Sequence, residues 1–188
     1  MLSFAIMVRK AVDISFTDLL YAVVAGAAFE HFDPYHWSTT GWNNSILLAS
    51  IVVLLDDWVL YHAQASRTPA EDVNSASILF FDALVLLLWY TMSRSGTIGP
   101  DGFYWFLLFL SMFYLLTMLS VVLFLHEEPR GEFIKCDSAS ALVLAIVMAS
   151  LYEFKVPAYQ WMIPIVLALL IPLRLKAWRV AFRYTSSG

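Results

Sequence analysis

Six apolar stretches, each close to the length a helix needs to cross a bilayer core about 30 Å thick, occupy residues 14–32, 45–63, 76–92, 103–125, 138–154 and 156–175. Inside a membrane every backbone N–H and C=O must find its partner within the protein, so such stretches are expected to form helices. Turn-formers and charges interrupt the runs: Asp33-Pro34, Arg67-Thr68-Pro69, Ser95-Gly96 with Gly99-Pro100, and Glu127 to Gly131. Only Glu153, Lys155 and Pro157 divide the last two stretches, so a five-span arrangement with one re-entrant segment stays open. The expectation is an all-α polytopic membrane protein, with residues 1–188 forming a single six-span transmembrane domain.

The basic residues favour six spans. In that arrangement Arg9, Lys10, Arg67, Arg130, Lys135, Arg174, Lys176, Arg179 and Arg183 share one side, and only Arg94 and Lys155 lie on the other. Cationic loops stay in the cytoplasm, so both termini are expected there; five spans would move the final four cations across and spoil the asymmetry. Trp37, Trp42, Trp105 and Trp161 fall near the outer boundary, where an indole is partly apolar and partly wet. The basic and aromatic tail over 173–184 either continues the last helix, lies along an anionic inner leaflet, or serves only as a topology signal. The location implied is an integral one, in the plasma (inner) membrane if the source is prokaryotic.

Composition narrows the function classes. The chain is 61% hydrophobic and 14% charged, whereas a soluble domain carries about 25% charged residues. No broad basic face is present, so nucleic acid is not expected as a partner. The single Cys136 leaves no internal disulfide and no multi-cysteine metal site. The short apolar run over 2–8, followed by Arg9 and Lys10, does not read as a cleavable signal peptide. No Ser-His-Asp constellation, phosphate-cradling Gly-rich loop or His-rich cluster is found, so neither an enzyme nor a cofactor is expected.

The acids inside the spans say most. Asp18, Asp56, Asp57 and Asp82 lie in the first three stretches. A carboxylate near the bilayer centre costs about 2.5–3.5 kcal/mol on insertion scales and less toward the surface. Counting along each helix puts Asp18 roughly 6 Å, and Asp57 and Asp82 roughly 9 Å, inside the cytoplasmic boundary, in one layer. Such a layer either lines a water-filled vestibule for cations or protons, or is hydrogen-bonded to His62, Tyr61, Trp58 or Ser and Thr hydroxyls and holds the first three helices together. Asp56 and Asp57 point about 100° apart, so one of them at most faces a pore.

At the outer end of the first stretch stand Glu30, His31, Asp33 and His36. Glu30 suits an anionic ring at the mouth of a symmetric pore. The set lacks a helical i, i+4 pair of histidines and ends in a Pro-containing loop, so a solvated loop is the plainer reading and no metal site is expected. Ala25 to Ala28, with Gly26, form a small-residue stretch that either lets helices approach closely or leaves space in a pore. Pro164 and Pro172 are expected to kink the last helix. The aromatic-rich fourth stretch is expected to face lipid or pack against neighbours.

Phe16-Thr17-Asp18-Leu19-Leu20-Tyr21-Ala22-Val23 resembles the Phe-Ser-Asp-x-x-Phe-Ala-Ile signature of the lysosomal potassium channel family, transmembrane protein one-seventy-five, and its bacterial six-helix homologues. Trp58-Val59-Leu60-Tyr61-His62 is similar to that family's Trp-x-x-His-His, and Ile78 to Leu84 to its third helix, with Asp82 where Asn is usual. The resemblance covers 16–92. It implies a six-helix subunit, a homotetramer, and a pore for monovalent cations lined by the first helix. Phe16, Thr17 and Asp18, with the polar residues of the next two helices, would anchor packing near the inner pore. The constriction would map to Val23, with Ala27 and Glu30 further along the same face. This chain departs from the family in having Thr17 for Ser, Val12 where Arg is usual, and small residues where the family has bulky Ile or Leu; the last, with the acidic outer end, weighs against strict potassium selectivity.

The reading that follows is an oligomeric, potassium-like cation channel. A proton-coupled transporter of a small solute, using the Asp layer, and a non-transporting membrane scaffold subunit are the alternatives.

Overall fold

The computed structural model describes residues 17–65, 75–124 and 130–185. Phe16 and Val12, and the flanking cations Arg9, Lys10 and Arg67, lie outside the described residues. The described residues are almost wholly helical, without a strand among them. They form α1 (Thr17–Phe29), α2 (Trp37–Ala65), α3 (Ser75–Arg94), α4 (Gly102–Phe124), α5 (Arg130–Glu153) and α6 (Met162–Thr185). A 3₁₀ segment, Ser95–Asp101, joins α3 to α4.

Three stretches are long and apolar enough to cross a membrane: Trp37–His62, Leu79–Phe124 and Arg130–Glu153. The second has 46 residues, about 69 Å as one helix and more than twice the thickness of the apolar core. It folds back on itself instead, and the 3₁₀ segment makes the bend. Gly99 turns there with φ 75° and ψ −141°, a conformation open to glycine alone. Gly96 is pressed against α2, and a Cβ on it would come within 2.6 Å of the Asn43 Cα and 2.8 Å of the Trp42 carbonyl oxygen. Backbone cannot rotate away as a side chain can. Gly96→Ala is therefore expected to destabilise the protein by about 1–3 kcal/mol. Thermal unfolding in detergent checks this against Gly131→Ala, whose Cβ meets nothing within 4 Å and which should be neutral or slightly stabilising; equal melting of the two variants would refute the contact.

The helices run alternately between two ends of the bundle. One end holds the start of α2, the 3₁₀ segment, the start of α4 and the α5–α6 connection, where the Tyr104 hydroxyl donates to the Val156 carbonyl at 2.8 Å. Trp37, Trp105 and Trp161 are exposed at this end, and Trp42 packs on Phe103. The core between the helices is built on Ile46, Trp89, Phe103, Phe106, Phe113 and Leu144. The Trp89 indole N–H donates to the Ser50 carbonyl, so the polar edge of the largest core side chain is satisfied without water. In α4 one face is buried through Phe106, Phe113 and Tyr114, while Trp105, Met112, Leu115 and Leu119 point outward.

One feature differs from the sequence expectation, and one alternative left open by the sequence is settled. Pro164 sits in the first turn of α6, where its missing N–H removes no helical bond, so only Pro172 lies in the helix interior. The tail after residue 173 continues α6 to Thr185.

Candidate functional site

The first layer of polar contacts ties α1 to its neighbours. Trp58 Nε1 donates to Asp18 Oδ1 at 2.9 Å, and His62 Nε2 lies 3.0 Å from the same oxygen. Tyr21 donates its hydroxyl proton to Asp57 Oδ2 at 2.6 Å. Thr17, fully buried, donates to Asp82 Oδ2 at 3.4 Å and accepts from the Tyr61 hydroxyl at 3.3 Å. Asp18, Asp57 and Asp82 are thus each bonded to a named donor within the chain, and their contacts join α1 to α2 and α3. Trp58 and His62 stand one turn apart, with His62 Nδ1 donating to the Trp58 carbonyl at 2.9 Å, so one turn of α2 grips Asp18.

Asp56 faces elsewhere. Its Oδ2 accepts from Arg174 Nε at 2.6 Å and its Oδ1 from Trp178 Nε1 at 2.7 Å, both on α6. Arg174 Nη1 reaches Asp137 Oδ1 of α5 at 2.6 Å, and its guanidinium carbon lies 4.9 Å from the centre of the Tyr114 ring on α4. All three charged side chains are largely shielded, at 13% exposure for Arg174, 14% for Asp56 and 8% for Asp137. Arg174, grouped by sequence with the flanking cations, is a bridge inside the bundle. Asp137 and Tyr114 were not singled out by the sequence reading. A signal for Asp137 exists: it shares one buried helical stripe with Phe133, Ser140, Ala141 and Leu144, which the chosen start of the fifth stretch at 138 cut off.

Between these two networks lies a cavity of about 50 Å³, to which all six helices contribute. Its polar lining includes Tyr21, Asp57, Asp82, Ser120, Asp137 and Arg174. That volume has room for a few water molecules. Water there would hydrogen-bond to carboxylates from three different helices, an arrangement suited to relaying protons and too small for an organic solute.

α1 has a second, different face. Leu19, Val23, Gly26 and Glu30 recur at one-turn spacing and point away from the rest of the described chain, with Val23 at 58% exposure. Ala22 is exposed beside them, and Ala27 is half-buried at the margin. Nothing lies within 4 Å of a Cβ built on Gly26. None of the aspartates that bond α1 to α2 and α3 belongs to this stripe.

At the far end of α1, Asp33 organises the turn between α1 and α2. Its Oδ1 accepts from the backbone N–H of Tyr35 and of His36, and His36 Nδ1 lies 2.8 Å from Oδ2. The His36 hydrogen bond, foremost, holds the Asp33 carboxyl below the usual carboxylate range. Asn44 clamps the same turn, donating to the Asp33 carbonyl at 2.6 Å and accepting from its N–H at 3.1 Å. Asp33 and His36 therefore serve the turn, while Glu30 remains exposed. Among the described residues no group of three or more His, Cys, Asp or Glu is placed to hold a metal ion.

No family model matches the chain, and neither a curated protein nor a solved structure does. The resemblance to the lysosomal potassium channel family therefore rests on the three motifs alone. Of their residues, Thr17, Asp18, Trp58, His62 and Asp82 are brought to one end of the bundle, in contact through Asp18–Trp58–His62 and through Thr17–Asp82.

Proposed function

We propose that this protein is a channel for monovalent, potassium-like cations, built from several copies, four on the family resemblance, around a pore lined by α1. In this reading all six helices cross the bilayer and both termini are cytoplasmic. The observation that carries it is the outward stripe Leu19–Val23–Gly26–Glu30. The outward face of α4 is bulky, with Met112, Leu115 and Leu119, and suits acyl chains, while that of α5 mixes Leu142 and Ile146 with Ala145 and Ala149. The α1 stripe carries Gly26 between Val23 and Glu30, with Ala22 beside it and exposed Phe29 on its flank, and ends on a carboxylate. Glycine inside a helix costs up to about 1 kcal/mol relative to alanine, and among the described residues nothing lies within 4 Å of a Cβ at Gly26; a close approach of copies, or an open pore, accounts for it. Glu30 would concentrate cations at the mouth, and the apolar ring at Val23 would close the pore by shedding water.

Reconstitution tests this directly. Liposomes carrying the purified protein should pass potassium and other monovalent cations down a gradient, and the particles should have rotational symmetry. Tight liposomes with correctly inserted protein would end the proposal.

The cavity bounded by Asp57, Asp82 and Asp137 favours a second reading, a proton-coupled transporter in which these carboxylates relay protons. It differs in outcome: Asp57→Asn or Asp82→Asn would stop solute uptake, and a monomer or dimer would suffice.

A further inference from the structure

α6 does not close fully against α2. An apolar groove of about 530 Å³ runs between them, walled by Val52 and Leu55 on one side and Ile171 and Leu175 on the other, all about half-exposed. Its floor is buried Val53, Leu170 and Tyr114, and Ala168 supplies little bulk to fill it. At its inner end stand Asp56, Arg174 and Trp178, with Arg174 Nε and Trp178 Nε1 bonded to Asp56 and Arg174 Nη1 to Asp137, so two carboxylates already face the guanidinium. An anion would therefore gain little from Arg174.

The next cations along α6 differ in availability. Lys176 is held by Glu132 at 2.8 Å. Arg179 is exposed and makes no ion pair among the described residues. It stands eleven residues past Ala168, about three turns, and within roughly 20° of it around the helix, so it continues the same wall of the groove. The rise from Ala168 to Arg179 is about 16 Å, close to the hydrocarbon depth of one leaflet. Beyond it Phe182 packs edge-on against Trp178, with ring centroids 6.3 Å apart.

We propose that this groove is a binding site for one anionic phospholipid, with an acyl chain lying between α2 and α6 and the phosphate on Arg179. A long apolar trough whose α6 wall leads on to the exposed guanidinium of Arg179 complements an amphiphile with one negatively charged head. The site lies on helices other than α1, so it stands whether or not α1 lines a pore.

Native mass spectrometry of the purified protein decides it, with phosphatidylglycerol and phosphatidylcholine of identical chains added in turn. The expected result is retention of one phosphatidylglycerol, bound about fivefold more tightly than phosphatidylcholine, the preference one basic residue supplies near a membrane surface. Arg179→Gln, an exposed change, should erase the preference, and Ala168→Phe, which fills the trough, should remove the retained lipid of either kind. Equal retention of both lipids by the unaltered protein, or a preference untouched by Arg179→Gln, overturns the proposal. So does a lipid-free dimer that Ala168→Phe separates, since the groove would then hold a second copy.

Discussion

Arg174→Met is expected to lower the stability of the protein by about 3–5 kcal/mol, because it strands two shielded carboxylates without a counter-charge. The guanidinium contacts Asp56 through Nε and Asp137 through Nη1, both at 2.6 Å, and so locks α6 to α2 and to α5 with one side chain. Two directed donors on a rigid plane make this possible, and a lysine offers only a compact point charge. Arg174→Lys should therefore fall between the native protein and Arg174→Met. Thermal unfolding in detergent is the measurement, with a drop on the order of 10 °C expected for Arg174→Met. Adding Asp56→Asn and Asp137→Asn to Arg174→Met should restore most of the loss, since the desolvation penalty disappears with the charges. A single Arg174→Met variant that melts like the native protein would mean the bridge contributes nothing.

Val23→Trp should reduce cation flux to the level of empty liposomes while leaving thermal stability unchanged. The side chain at Val23 is 58% exposed, so an indole there points away from the described residues of its own subunit. Around a common axis the same substitution would place an indole from every copy at the narrowest point. Leu142→Trp supplies the comparison, since Leu142 on α5 is as exposed, at 61%, and would face lipid. Unimpaired flux through Val23→Trp, or equal loss in both variants, would remove α1 from the pore. Cysteine labelling along 19–30 gives an independent check, with water-accessible positions expected at Leu19, Val23, Gly26 and Glu30.

Much of the helical plan was legible because it is local. Apolar runs, turn residues and cations write the helix order directly into neighbouring positions, and α3 and α4 begin and end within about two residues of the stretches read from them. The ends of α5 and α6 were less legible for a definite reason. Both helices extend past their apolar runs into polar sequence, about two turns earlier at Arg130 and nearly three turns later at Thr185. Hydropathy drops there although helical hydrogen bonding does not. The grouping of Asp18 with Trp58 and His62 was among the partners the sequence offered, whereas the Tyr21–Asp57 bond was not foreseen.

By itself the sequence determined that this chain folds as helices rich enough in apolar surface for a membrane, and that the first three of them carry acids. Hydrophobic spacing and residue type suffice for both, because each depends on a few adjacent positions. Only the tertiary structure decided which donor each acid meets. Arg174 finds Asp56 across 118 positions and Asp137 across 37, and such pairings depend on how α6 is turned and how closely it approaches α2 and α5. The division of α1 into a bonded face and an outward face is of the same kind, since a helix has no inside until its neighbours cover one side.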